Sequence, residues 1–248
     1  MMVDWECILE CNYNCLYCTN GRNSILKKPI RCITDEKKLE EFIISLKKYN
    51  TEIFVFGGEP FLHPKIEFII NTFNKYNISF VIQTNFSQFK KMKELEKLTW
   101  ICQVSIHRTM IQDFEILKSN LKELENKIRR IDIMYDSLEC IKIYNYLKDF
   151  KNVYIAPVAD FKTPKRDFLP ILKEFNLNKK LFKNINFEPG NRSFVWEDQF
   201  VKGSPFKGKR CFYLNRYLLF DPEFKSYNCS HRINCEICPN DACFLMEW

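Results

Sequence analysis

Cys11, Cys15 and Cys18 form the run C-N-Y-N-C-L-Y-C, which confines three thiols to one short loop. Three thiolates so close together can hold three irons of a cubane cluster and leave the fourth iron unligated. Ligation by four thiolates would serve electron transfer or structure, whereas an open iron is a place for substrate chemistry. A second run, Gly57-Gly58-Glu59-Pro60, follows the apolar stretch Ile53–Phe56. Paired glycines let a main chain approach a ligand closely, and the Glu59 carboxylate can accept from an ammonium group. The thiols alone also suit another metal. Cys7 precedes Cys11 by four residues, so Cys7, Cys11, Cys15 and Cys18 also spell a four-cysteine zinc knuckle. Zinc, however, gives the Gly-Gly-Glu-Pro run no purpose.

The elements that must position these residues follow from hydrophobic periodicity. Short apolar, β-branched runs predict strands at Trp5–Leu9, Ile53–Phe56, Ser79–Thr84, Ile101–Ile106, Arg130–Met134 and Val153–Pro157. Helical periodicity between and after them predicts helices at Asp35–Tyr49, Pro64–Tyr76, Gln88–Leu98, Thr109–Lys127, Ser137–Phe150 and Asp167–Phe182. The first helix carries a stripe at Leu39, Phe42, Ile43 and Leu46, with Asp35 as its N-cap. Alternating β and α units imply a parallel sheet with right-handed crossovers. Loops at the carboxyl ends of such strands can vary without disturbing the core, so reacting groups collect there. That rule brings four loops to one mouth: Cys11–Cys18, Gly57–Pro60, Gln83-Thr84-Asn85 and Ser105-Ile106-His107.

The Cys-x-x-x-Cys-x-x-Cys loop followed by Gly-Gly-Glu-Pro at the next strand end resembles the radical SAM superfamily. The resemblance implies an enzyme of α/β class, a partial (β/α)6 barrel over residues 1–200. It implies a [4Fe–4S] cluster on Cys11, Cys15 and Cys18 whose open iron binds S-adenosylmethionine. Reductive cleavage of that cofactor would yield a 5′-deoxyadenosyl radical that abstracts a substrate hydrogen. A low-potential donor of flavodoxin or ferredoxin type is the implied electron source. On the same ground Gly57, Gly58, Glu59 and Pro60 would bind the cofactor, Tyr17 would lie beside its adenine, and Ala156 would border that ring. Ser105 and Asn85 would reach the ribose or methionine moiety. As alternatives, Ser105 caps the following helix, His107 is a polar group lining the mouth, and His63-Pro64 opens a helix with Pro at its first position. The chain departs from the family in two places. Phe86 stands where Thr-Asn-Gly is usual, and Ile131–Ser137 lacks the Gly-x-Ile-x-Gly-x-x-Glu pattern of some members.

Composition changes near residue 200. Cys211, Cys229, Cys235, Cys238 and Cys243 fall in a Cys-rich extension over 201–248. Between the first two, apolar runs flank Asp221-Pro222-Glu223-Phe224-Lys225, which predicts a β-hairpin over Phe212–Asn228. Cys211 and Cys229 flanking a hairpin, followed by Cys235-x-x-Cys238, can close a four-thiolate site. A structural zinc ribbon satisfies the same spacing. The arrangement resembles the twitch or shortened SPASM extension of some radical SAM enzymes, which implies one auxiliary [4Fe–4S] cluster on Cys211, Cys229, Cys235 and Cys238, with Cys243 as a substitute ligand.

The chain has 248 residues and a net charge of +7 from 38 basic and 31 acidic residues spread along its length. No basic run carries a recognisable nucleic-acid module, so tRNA modification is a lesser alternative. The acidic start has no signal-peptide pattern, and no apolar stretch reaches the ~18–20 residues of a membrane span. Twelve cysteines under those conditions point to a reducing cytoplasm, and to clusters or metal rather than disulfides. Cys102 and Cys140, on apolar runs, read as core. With no peptide-recognition segment apparent before the Cys loop, the expected substrate is a small molecule such as a sugar or aminocyclitol alcohol, oxidised with help from the auxiliary cluster. Modification of a ribosomal peptide or protein is the alternative. A non-catalytic module stapled by zinc is the alternative from another class.

Overall fold

The computed structural model describes residues 1–13, 15, 32–157 and 217–227. Strands and helices alternate as β1 (Met2–Ile8), α1 (Glu36–Leu46), β2 (Ile53–Gly57), α2 (Ile66–Lys75), β3 (Phe80–Thr84), α3 (Phe89–Glu94), β4 (Cys102–His107), α4 (Phe114–Glu123), β5 (Ile128–Tyr135), α5 (Cys140–Leu147) and β6 (Val153–Pro157). Two short strands follow, β7 (Tyr217–Phe220) and β8 (Ser226–Tyr227). All eight form one sheet in the order β6-β5-β4-β3-β2-β1-β7-β8. Every neighbouring pair is parallel except β7 with β8. This is the mixed α/β fold with a mostly parallel sheet and interleaved helices that the periodicity predicts. Among the described residues no helix is long and apolar enough to cross a membrane.

Local chemistry accounts for the helix limits. Asp35 accepts from the Lys38 N–H at 3.0 Å and caps α1, as its sequence position predicts. Leu39, Phe42, Ile43 and Leu46 are all buried, so the stripe is the core face. Asp113 accepts from the Glu115 and Ile116 N–H groups and starts α4 there, inside the longer helix expected over Thr109–Lys127. The flanking residues Arg108–Met110 and Glu125–Lys127 are 3₁₀ turns instead. The Pro at a first helical position is Pro60, of the 3₁₀ turn Pro60–Leu62, and α2 begins only at Ile66. His63 ends that turn rather than opening a helix. Ser105 lies within β4 and caps nothing.

Alternation of side chains divides the sheet. Val3, Trp5, Ile53, Val55, Ile82, Val104, Ile131 and Ile133 are buried in the main hydrophobic core, where Trp5 meets Phe42 of α1 and Phe73 of α2. Glu6, Gln103, Ser105, Arg130 and Asp132 occupy the intervening positions and carry polar chemistry on the other face. Strand β1 starts at Met2, three residues before its sequence signal, because Val3 and Asp4 pair with both β2 and β7 and Met2 pairs with β7. The described part of the predicted hairpin is therefore an addition to the main sheet, beside the strand that leads to Cys11.

Candidate active site at the carboxyl ends of the strands

The loops after β1 and β2 are stitched by backbone. The Gly58 N–H donates to the Ile8 carbonyl at 2.7 Å and the Glu59 N–H to the Glu10 carbonyl at 2.8 Å. Both glycines are sterically required. A Cβ on Gly57, at φ +148°, would meet the Ile8 oxygen at 2.2 Å, and one on Gly58 would meet the Glu10 oxygen at 1.7 Å. The close approach that glycine permits here is to the chain's own strand end, one residue from Cys11.

Glu59 extends this stitching to β3. Its carboxylate is fully buried and accepts from the Thr84 hydroxyl at 2.7 Å, the Asn85 N–H at 2.7 Å and the Phe61 N–H at 3.2 Å. A carboxylate with three protein donors is anchored inward; the ammonium partner considered from sequence has no part in these contacts. Pro60 is buried beside it. Burial first, and the Glu59 charge second, push the Tyr13 phenol up to about 12 and the Cys102 thiol well above its usual range.

Asn85 and His107 meet the cysteines. Asn85 Nδ2 lies 3.3 Å from Cys11 Sγ and 3.2 Å from Asn12 Oδ1. The Tyr13 N–H also donates to Cys11 Sγ, at 3.3 Å. Ser87 donates its hydroxyl to Asn12 Oδ1 and its N–H to Asn85 Oδ1. His107 Nδ1 is 3.3 Å from Cys15 Sγ, and the Tyr13 ring packs edge-on against the imidazole at 5.9 Å. The next residue, Arg108, clasps Asp136 and Glu139 beyond β5 and so fixes the end of β4. The pairings of Asn85 with Cys11 and of His107 with Cys15 are not legible from spacing, since the partners stand 74 and 92 residues apart.

Cys11 and Cys15 are half-buried sulfurs at the mouth, a soft donor set suited to iron–sulfur or zinc chemistry. Cys7 is not with them. It is 1% exposed in the core, where burial pushes its thiol well up. Among the described residues no three His, Cys, Asp or Glu side chains converge on a metal position, and Cys7 is turned into the core. Cys102 and Cys140 are buried as expected. Tyr17, Cys18, Cys211, Cys229, Cys235, Cys238 and Cys243 lie outside the described residues.

Deeper on the polar face, Ser105 is buried and accepts from Gln83 Nε2 at 3.3 Å. Beside it in register, Asp132 accepts from Gln103 and from Arg130, whose guanidinium stacks over Tyr154. Burial pushes the Asp132 carboxyl above its ordinary value, and Arg130 opposes that. Ala156 is buried on β6, paired with Met134. The sequence singled out Ser105 and Ala156 and missed Gln103, Arg130 and Asp132, although alternate polar residues in an apolar strand were a usable signal.

The radical SAM superfamily model matches residues 5–148, from β1 through α5. Over 58% of this chain, a UPF0026 protein of Helicobacter pylori strain J99 is 28% identical, and its counterpart from strain 26695 is 26% identical. The chain spans about half the length of these curated relatives, 45% of each. Streptococcus suis SuiB bound to S-adenosylmethionine superposes with a TM-score of 0.63 at 14% identity, covering 92% of this chain and 60% of SuiB. SuiB bound to the precursor peptide SuiA gives 0.60 at 13% identity, covering 92% of this chain and 59% of SuiB. At these identities the likeness is one of fold.

Proposed function

The chain belongs to the radical SAM superfamily, and from that premise we propose that it is an enzyme that cleaves S-adenosylmethionine reductively and abstracts a hydrogen from a peptide or protein substrate. The observation that carries the reading is the meeting of four strand ends at two half-buried cysteine sulfurs, with the Gly57–Glu59 loop stitched to the strand that delivers them. When bound, the cluster and cofactor supply a 5′-deoxyadenosyl radical; the protein supplies orientation and exclusion of water.

In this proposal Cys11, Cys15 and Cys18 hold the cluster. The Gly57–Pro60 main chain, made rigid by the inward Glu59, receives the methionine end of the cofactor. Ser105 contacts the ribose, and Tyr17 and Ala156 flank the adenine. Cys211, Cys229, Cys235 and Cys238, with Cys243 in reserve, would hold an auxiliary cluster, which would supply a one-electron acceptor for the substrate. A low-potential donor of flavodoxin or ferredoxin type would supply the electron.

The substrate assignment moves from the small alcohol to the peptide. The support is the likeness of fold to SuiB, which has been captured with its precursor peptide.

The test is iron and sulfide per chain after anaerobic reconstitution, with 5′-deoxyadenosine measured after dithionite and S-adenosylmethionine are added. Roughly eight irons are expected in the wild type and about four in the triple Ala variant of Cys11, Cys15 and Cys18, with 5′-deoxyadenosine lost. Zinc in place of iron and no 5′-deoxyadenosine from the wild type would end the enzyme reading.

A further inference from the structure

We propose that Asn85 and His107 are positioning residues that each donate an N–H to one cluster thiolate, Asn85 to Cys11 and His107 to Cys15, and thereby raise the reduction potential of the cluster. The inference rests on the radical SAM reading above and deepens it.

The geometry fixes both donors. Asn85 Oδ1 is already used, accepting the Ser87 N–H at 2.9 Å, so the atom turned to Cys11 at 3.3 Å is the amide nitrogen. The Asn85 main chain is held in turn by the buried Glu59. His107 presents Nδ1 to Cys15 at 3.3 Å, with its ring against Tyr13 and its neighbour Arg108 clasped by Asp136 and Glu139. A cysteine that ligates iron has no proton to give. Contact at this distance then requires the proton on Nδ1, the donating tautomer.

The consequence is electrostatic. Reduction adds negative charge to the cluster and its sulfurs, and an N–H aimed at a sulfur favours the more negative state. The buried Glu59 carboxylate is held against Thr84 and the Asn85 main chain at the same strand ends, and its negative charge opposes reduction. Two N–H donors, one from the end of β3 and one from the end of β4, counter that field at the sulfurs themselves.

The experiment is potentiometric titration of the reconstituted full chain, followed by electron paramagnetic resonance without S-adenosylmethionine. The signal remaining in the triple Ala variant of Cys11, Cys15 and Cys18 is subtracted. Asn85→Leu and His107→Leu are each expected to keep wild-type iron and to show roughly tenfold less reduced cluster at a fixed applied potential, about 59 mV for one electron. His107→Asn, which returns an N–H near the Nδ1 position, is expected to recover most of that shift. Asn85→Ala serves in place of Asn85→Leu if the larger side chain prevents folding. Full iron content with unchanged potentials overturns the inference while leaving the radical SAM reading intact. Iron loss in His107→Leu that His107→Asn does not restore makes His107 a ligand, and overturns the donor role. A wild type that binds zinc and no iron removes the reading on which both rest.

Discussion

Phe86 shows how one residue can keep a backbone shape its type disfavours. It stands at φ +62°, in the left-handed region that costs an L-residue about 1–2 kcal/mol and costs glycine almost nothing. The expected Thr-Asn-Gly pattern thus departs in residue type, and the left-handed turn that glycine would favour is present all the same. The Phe86 ring is 5% exposed and packs near Phe89, so burial offsets the strain. Truncation should cost about 3–5 kcal/mol. The informative comparison is Phe86→Ala with Phe86→Gly. Glycine is usually the less stable of the two, by roughly 0.5–1 kcal/mol. Here it should be more stable by about 1 kcal/mol in urea unfolding, because it also relieves the left-handed turn. Alanine proving the more stable would mean that the turn is not held in that conformation. At this scale the sequence was legible wherever chemistry is local, as at Asp35, Cys102 and Cys140. It was silent on Asn85 with Cys11 and His107 with Cys15, because pairings between strand ends leave no trace in spacing.

The elements were legible for the same reason and failed at the same point. Strands β2, β3, β4 and β6 fall within a residue or so of their apolar runs, since a strand buried on one or both faces must be written in β-branched and aromatic residues. The attachment of β7 to β1 had no such signature. Parallel neighbours need no turn between them, and more than 200 residues separate Met2 from Tyr217. What secures the attachment is aromatic. Phe224 stacks on Phe42 of α1 with centroids 4.1 Å apart and planes 4° from parallel, Phe220 meets the same ring edge-on at 5.1 Å, and Trp5 lies 6.1 Å from Phe224. Phe220 is 7% exposed and Phe224 only half-buried. Phe220→Ala should therefore destabilise the chain by about 3 kcal/mol, and Phe224→Ala by about 1–2 kcal/mol, the worth of a stacked pair with partial burial. Urea unfolding of the two variants checks the order. Equal and negligible losses would mean that the hairpin is not part of the cooperative unit built on β1.

At the scale of the whole molecule, the direction of the hairpin sets its two described ends apart from the mouth. Strand β7 runs parallel to β1, with Tyr217 opposite Met2 and Phe220 opposite Trp5. Strand β8 then returns, with Tyr227 opposite Leu219. Both described ends of the hairpin thus stand beside the first half of β1, whereas the Cys11 loop follows its last residue. Among the described residues, Cys11 and Cys15 are met by Asn12, Tyr13, Asn85 and His107, at the strand ends rather than at the hairpin. If the cysteines beyond these ends hold a second cluster, its removal should leave cofactor cleavage standing and remove only what happens afterwards. A variant with Ala at Cys211, Cys229, Cys235 and Cys238 should keep about four of roughly eight irons. It should still form 5′-deoxyadenosine with dithionite and S-adenosylmethionine, and should fail to convert a peptide that the wild type modifies. Iron near the wild-type value would show that these cysteines bind no cluster. Loss of 5′-deoxyadenosine along with half the iron would instead tie the two sites into one electron path, in which the distal thiols feed the cluster at Cys11 and Cys15.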